Sequence, residues 1–206
     1  MKQRKTRYNS ASQVILDNKD EHWENKKIMK LIQAYEEQDL VAIQKLYQEA
    51  FPIKERKPFS MLLQKREEQF VEIIAIKTEE DRFCGLAITV LHKDMVLLDY
   101  FAIANECRDG GLGTKALGLL KERYADRRFF LEIESTDADV PDRVNRMRRK
   151  AFYEKNGLTP TSLFVNLFGV EMEILVNSCT VRYEEYHEMY EMFGTDIGDK
   201  VTLIHE

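Results

Sequence analysis

The sequence predicts a mixed α/β (α+β) fold, a mostly antiparallel central sheet of about seven strands flanked by helices. Three observations carry that expectation. Apolar runs of strand length alternate with helix-period segments in the order β-α-α-β-β-β-α-β-α-β-β. Three consecutive strand-like runs, Phe70–Lys77, Phe83–His92 and Met95–Ile103, are joined by short polar links and so form an antiparallel meander. The last of them leads through a short connector into the turn Arg108-Asp109-Gly110-Gly111-Leu112-Gly113 and then a helix.

Taken in order, residues 1–28 are polar, charged and weakly periodic, and read as an N-terminal extension. Met29 opens a segment that looks like a domain start, which makes it an alternative translation start; the intact mass of the native protein decides this. Ile28 to Tyr35 reads as a strand. Asp39 caps a helix bearing Leu40, Val41, Ile43, Leu46, Tyr47 and Phe51 at helical spacing, and Pro52 stops it. The loop Phe51–Pro58 lies between two prolines and leads to a second helix, from Phe59 to about Phe70. After the meander and the glycine turn, a helix spans about Leu112 to Tyr124, and Phe129–Glu134 is a strand. A basic helix runs from Asp142 to a C-cap at Asn156-Gly157. Thr161–Phe168 and Val170–Val176 form a hairpin turning at Gly169, and Arg182–Phe193 is a last amphipathic helix closed by Gly194. The organisation is therefore an extension (1–28), one domain (29–176) and a helical C-terminal extension packed on it (177–206).

Composition bounds the partners. The chain has 206 residues, enough for one domain with a full core. Its net charge is −5, so neither nucleic acid nor an anionic membrane is expected as a partner. Of the 31 basic and 36 acidic residues, seven and four fall in residues 1–28, which leaves the remainder at −8. An acidic body is consistent with a cationic substrate such as an amine, but it is first of all a common solubility device. Cys84, Cys107 and Cys179 are odd in number and form no CxxC or Cys/His cluster, which argues against a disulfide framework or a structural zinc site. Cys84 lies in a strand-like run and reads as a small core residue. The N-terminus has no apolar signal region and no apolar run approaches ~18 residues, so the expected location is the cytoplasm.

A strand, a glycine turn and a helix start make an anion site. Glycines let the backbone approach a ligand, and the first helical N–H groups lack internal partners. Gly111-x-Gly113-x-x-Ala116 matches the dinucleotide fingerprint, and Glu132 and Glu134 follow at a suitable distance for a ribose-binding acid. Geometry rejects that reading. Seven residues, Ala104 to Gly110, separate the strand from Gly111, and the upstream strands are antiparallel rather than parallel βαβ units. The phosphate-loop pattern G-x-x-x-x-G-K-[ST] is missing from the sequence.

What remains is Arg108-x-x-Gly111-x-Gly113 on a strand–loop–helix, followed one strand later by Phe152-Tyr153-x-x-x-Gly157 at a helix end. On these two motifs the chain resembles the GCN5-related N-acetyltransferase (GNAT) superfamily over about Met29 to Val176. Where that family often has Asn seven residues before the tyrosine, this chain has Arg146, with Asn145 one residue off.

The resemblance implies an acyl-CoA N-acyltransferase fold and acetyl transfer from acetyl-CoA, without a metal, to a primary amine of a small molecule or peptide. It implies that backbone groups of Phe101, Ala102 and Ile103 pair with the pantetheine arm. Amides from Asp109 through Gly110, Gly111, Leu112 and Gly113 to Thr114 then hold the pyrophosphate, with charge from Arg108 and Lys115. It makes Tyr153 the general acid that protonates the leaving thiolate. The base is left between Asp99, read as alternating in register with Phe101 and Ile103, and Glu134, with Glu132 as competitor. Glu55, on a loop that resembles an FPxxERxP stretch in small bacterial members, is a candidate for meeting the amine. Tyr183, Tyr186, Tyr190 and Phe193 recur at helical spacing and read as a packing stripe or dimer contact, the protein being a monomer or homodimer. The competing functions are a non-catalytic acyl-CoA-binding module on the same fold, and a nucleotide-dependent oxidoreductase.

Overall fold

The structure, a computed structural model, describes residues 29–206 apart from 109, 138 and 139. The expectations for residues 1–28 and for Asp109 lie outside the described residues. In chain order the elements are β1 (Met29–Gln33), α1 (Glu37–Ala50), α2 (Phe59–Glu67), β2 (Val71–Thr78), β3 (Phe83–His92), β4 (Met95–Ile103), α3 (Leu112–Arg123), β5 (Arg128–Glu134), α4 (Arg143–Lys155), β6 (Thr159–Leu167), β7 (Val170–Val176), α5 (Tyr183–Glu191), α6 (Thr195–Gly198) and β8 (Val201–His205). Single 3-10 turns stand at Ile53–Glu55 and Asn105–Cys107.

The strands form one eight-stranded sheet in the order β1-β2-β3-β4-β5-β7-β6-β8. The meander is as expected, and so is the hairpin of β6 and β7. The C-terminal segment is not purely helical. It adds the eighth strand, β8, antiparallel to β6. That strand has only five residues, and all but Val201 are exposed, so no buried alternation marks it in the sequence.

Two apolar layers cover the sheet. On one face Ile43, Leu46 and Tyr47 of α1, Leu62 of α2 and Tyr186, Met189 and Tyr190 of α5 pack on Ile73, Ile88 and Leu97. On the other, Leu112, Ala116, Leu117 and Leu120 of α3 pack on Ile74, Val96, Leu98 and Leu131. Each strand of the meander therefore serves both layers, as a period of two requires. The C-terminal extension belongs to the first layer rather than standing apart from it.

Asp39 does not cap α1. The helix begins at Glu37, after Glu36, so Asp39 falls in its first turn. There it meets Lys77 of β2 at 2.6 Å, both side chains being 7% exposed. A carboxylate at that place is favoured by the helix dipole as well.

Two irregularities around β4 shape the site. β4 and β5 are parallel neighbours paired only from Met95↔Arg128 to Leu98↔Leu131. Beyond that point both strands continue without pairing to each other, so a cleft opens between their C-terminal halves. Second, the β3–β4 register steps from Thr89↔Leu98 to Ile88↔Tyr100, which leaves Asp99 as the extra residue of a β-bulge. The bulge reverses the alternation. Leu97, Tyr100 and Ala102 share the first layer, while Leu98, Phe101 and Ile103 share the second. The expectation that Asp99 alternates with Phe101 and Ile103 is thereby corrected: an inserted residue breaks the period on which it rested.

Candidate active site

Donor side first. Past Leu98, β4 pairs with β3 alone, through Gly85↔Ile103, Leu86↔Ala102 and Ala87↔Phe101. Its other edge faces the cleft with no strand paired to it, a ready partner for an extended amide-bearing chain. The strand ends at a turn in which Gly110 and Gly111 have φ of +88° and +74°. A Cβ at either would meet nothing within 4 Å. The turn therefore needs glycine for its left-handed backbone rather than for room. Gly111 N-caps α3, whose first internal bond runs from the Lys115 N–H to the Gly111 carbonyl at 3.2 Å. The N–H groups of Leu112, Gly113 and Thr114 have no partner within the helix, and the helix dipole stands behind them.

These elements line a groove of about 780 Å³ that includes Phe101, Ala102, Ile103, Arg108, Gly111, Gly113 and Thr114. Leu112 is not among the residues that line it, its side chain being buried in the second apolar layer. Arg108 donates from Nε to the Ile103 carbonyl at 3.1 Å and stays exposed. The far wall comes from α4: Asn145, Arg148, Arg149, Phe152 and Tyr153. Phe152 stacks on Phe101 across the groove, centroids 6.5 Å apart. Arg146 turns away from it, donating to the Ser135 carbonyl at 3.1 Å and pairing with Glu134 at 3.1 Å and Asp142 at 3.1 Å. Just before the turn, Cys84 and Cys107 are both buried and free, their sulfurs 2.7 Å apart.

A smaller cavity of about 130 Å³ adjoins this groove in the splay between β4 and β5. Phe51, Glu55, Phe101, Glu134, Arg149 and Tyr153 line both spaces and so mark their junction. The cavity holds four carboxylates, from Glu55, Asp99, Glu132 and Glu134, and each has a different environment.

Asp99 faces Lys57, whose Nζ lies 2.9 Å from both carboxylate oxygens. The two side chains are 3% and 6% exposed. The Lys57 ammonium also sits over the rings of Tyr190, Phe193 and Tyr100 at 4.8, 4.9 and 5.4 Å. Burial pushes the Asp99 carboxyl up, and the lysine opposes that push. The Phe51–Pro58 loop is pinned to deliver Lys57. The Tyr47 hydroxyl donates to the Lys57 carbonyl at 3.1 Å, the Lys57 N–H donates to Tyr100 Oη at 3.1 Å, and Tyr100 Oη donates to the Glu55 carbonyl at 2.9 Å.

Glu134 is clasped by Arg149 and Arg146. Glu132 differs from both. Its two oxygens accept from the hydroxyls of Tyr186 and Tyr190, the latter at 2.5 Å. Burial and the neighbouring Asp99 charge push its carboxyl up to about 7, with Lys57 and the two phenols pulling the other way. Tyr153 lies at the junction. Burial pushes its phenol up to about 12 against the pull of Arg149, so it carries its proton at neutral pH.

The cleft thus gathers Tyr153, Asp99, Glu132, Glu134 and Glu55, which the sequence singled out, and pairs two of the expected bases with cations. Tyr186 and Tyr190 are core residues that hold Glu132, so they do not form a dimer contact. Lys57 and Arg149 had no signal of their own. Lys57 meets Asp99 across 42 positions of sequence, and Arg149 was one of several bases on a charged helix.

No family model and no curated protein matches the sequence. Solved structures do match the fold. A GNAT-family protein from Bacteroides thetaiotaomicron aligns with a TM-score of 0.64 at 18% identity, over 82% of this chain and 98% of that one. Another from Desulfovibrio desulfuricans aligns at 0.55 and 15%, over 72% and 97%. The spermidine N-acetyltransferase of Vibrio cholerae, in complex with CoA and spermine, aligns at 0.58 and 12%, over 73% and 96%. With its splayed parallel pair, bulged fourth strand and glycine turn, the chain has the fold of the GNAT acetyltransferases.

Proposed function

We propose that the protein is a GNAT-type N-acetyltransferase that moves the acetyl group of acetyl-CoA directly to a primary amine of a small molecule or peptide. The observation that carries this reading is the junction of the two spaces. A groove built for an extended, phosphate-bearing donor meets an acid-lined cavity at Tyr153, where a thioester carbonyl and an amine can come together.

In this reading the free edge of Phe101–Ile103 holds the pantetheine arm, and the amides of Gly111 to Thr114 hold the pyrophosphate. Gly110 and Arg108 shape and charge that turn. The amine nitrogen attacks the thioester carbonyl carbon, a tetrahedral intermediate forms, and the carbon–sulfur bond breaks. Tyr153 donates its proton to the departing sulfur. Glu132 takes the proton that the amine gives up; it is the cavity acid held by neutral phenols rather than by a cation, and its acidity near 7 suits the task. Asp99 and Glu134 keep Lys57, Arg146 and Arg149 in place.

Thiol release from acetyl-CoA across amino acids, polyamines, aminoglycosides, simple amines and peptides tests the activity. Tyr153→Phe should lower kcat about a hundredfold or more while sparing acetyl-CoA binding. An unchanged kcat overturns the role of Tyr153. Acetyl-CoA binding without release across the whole panel replaces the enzyme with a non-catalytic acyl-CoA-binding module.

A further inference from the structure

The acceptor cavity can be read for charge and size, on the footing that the protein transfers acetyl groups to amines. Its cations are Lys57 and Arg149. Lys57 is committed to Asp99, and that pair sums to zero whichever partner holds the proton. Arg149 and Arg146 together face Glu134 and Asp142, two guanidiniums against two carboxylates. Glu55 belongs to the mouth, where it lines groove and cavity alike and has an interaction of its own. Among the described residues, the cavity away from its mouth therefore offers one carboxylate without a cation on it, Glu132. Its two oxygens have about four acceptor sites, of which the phenols use two.

The remaining wall is apolar: Phe51, Leu98, Phe101, Ile133, Phe168 and Met172. A cavity of about 130 Å³ is close to the engineered void of about 150 Å³ that takes benzene in another protein. A second ammonium would find no counter-charge at this end, and a substrate carboxylate would find no spare cation. Either would be desolvated against apolar walls, which is costly.

We propose that the acceptor is a monoamine: a single ammonium, received by Glu132, on an apolar body about the size of one ring. Polyamines and free amino acids are disfavoured by the same charge count. The geometry makes Phe168 a specificity residue. It stands at the β6–β7 turn, walls the cavity and remains 40% exposed, so it can be cut back without opening the core.

Matched pairs of acceptors isolate the charge. Initial rates of thiol release are measured with the full chain for 2-phenylethylamine against phenylalanine, and for hexylamine against 1,6-diaminohexane, with spermidine alongside. The first member of each pair should exceed the second in kcat/KM by at least about tenfold. Equal rates within the pairs, or preference for spermidine or phenylalanine, overturn the monoamine acceptor and leave acetyl transfer standing. Release with none of these, nor with the wider panel of amines, overturns transfer itself and the acceptor with it. Phe168→Ala should raise KM for 2-phenylethylamine about tenfold without moving KM for acetyl-CoA. An unchanged amine KM overturns the apolar-body part of the proposal.

Discussion

The donor groove and the acceptor cavity meet at one tyrosine but are built in opposite ways. The near wall of the groove is made of backbone: a strand edge, a turn with two left-handed glycines and the first turn of a helix, all within Phe101–Thr114, and the side chains of α4 face it. The cavity is made of side chains from five distant places, the Phe51–Pro58 loop, β4, β5, α4 and the β6–β7 hairpin, with α5 holding Glu132 from behind. Backbone geometry tolerates substitution wherever the conformation is kept. A cavity of paired charges has no such tolerance, because each partner is the desolvation cover of another. Damage on the acceptor side should therefore spread into the fold, and damage on the donor side should stay local.

The largest test of that contrast is Lys57→Met. It strands the Asp99 carboxylate in the core, which should cost about 3–5 kcal/mol. For a chain of this size that lowers Tm by roughly 6–20 °C. The sign with pH is fixed. Without the lysine, the folded-state Asp99 carboxyl lies above its unfolded value, so the protonated form is favoured on folding. The deficit should be smaller at about pH 5 than at about pH 8. Adding Asp99→Leu should recover most of the loss, since it removes the orphaned charge. A Tm unmoved by Lys57→Met would mean that the pair is not holding the acceptor floor together.

A middle-sized effect is expected from Gly111→Ala. There is room for the methyl group, so the cost is the left-handed backbone, about 1–2 kcal/mol. KM for acetyl-CoA should rise while KM for the amine stays put. Comparable changes in both would erase the local character of the donor side.

The smallest effect belongs to Tyr190→Phe, which deletes one of two hydroxyl donors to Glu132. Those donors hold the Glu132 carboxyl down against burial. In the parent protein kcat/KM should rise with pH through about 7 as Glu132 loses its proton. In the variant that rise should move to higher pH, by up to about one unit. A pH profile identical to the parent's would detach α5 from the chemistry.

Legibility in sequence follows the same division. The meander, the glycine turn and the tyrosine helix were readable because each is written in neighbouring residues: period-two apolar runs, Arg108-x-x-Gly111-x-Gly113, and Phe152-Tyr153 before Gly157. The role of Asp99 was not, because a bulge is one extra residue that leaves no compositional mark and yet reverses every later position on the strand. Lys57 was hidden for another reason. Its partners Asp99, Tyr100, Tyr190 and Phe193 come together only through the sheet and the C-terminal helix. The tyrosine stripe of α5 was visible as a stripe, but what its hydroxyls touch is a tertiary fact. β8 went unread because a short, solvent-facing strand lacks the alternation that betrays a buried one.

The grip of α5 on Glu132 also sets a clock. Glu132 leaves the ribosome 54 residues before Tyr186 and 58 before Tyr190. At about 5–20 residues per second that is a lag of some seconds. Once Tyr153 has followed, still 33 residues before Tyr186, every residue proposed to hold the donor or protonate the thiolate exists. The acid proposed to deprotonate the amine still lacks the two phenols that fix it. Long-range closures of this kind form late in folding. A nascent chain should therefore acquire its place for the coenzyme before its capacity for transfer.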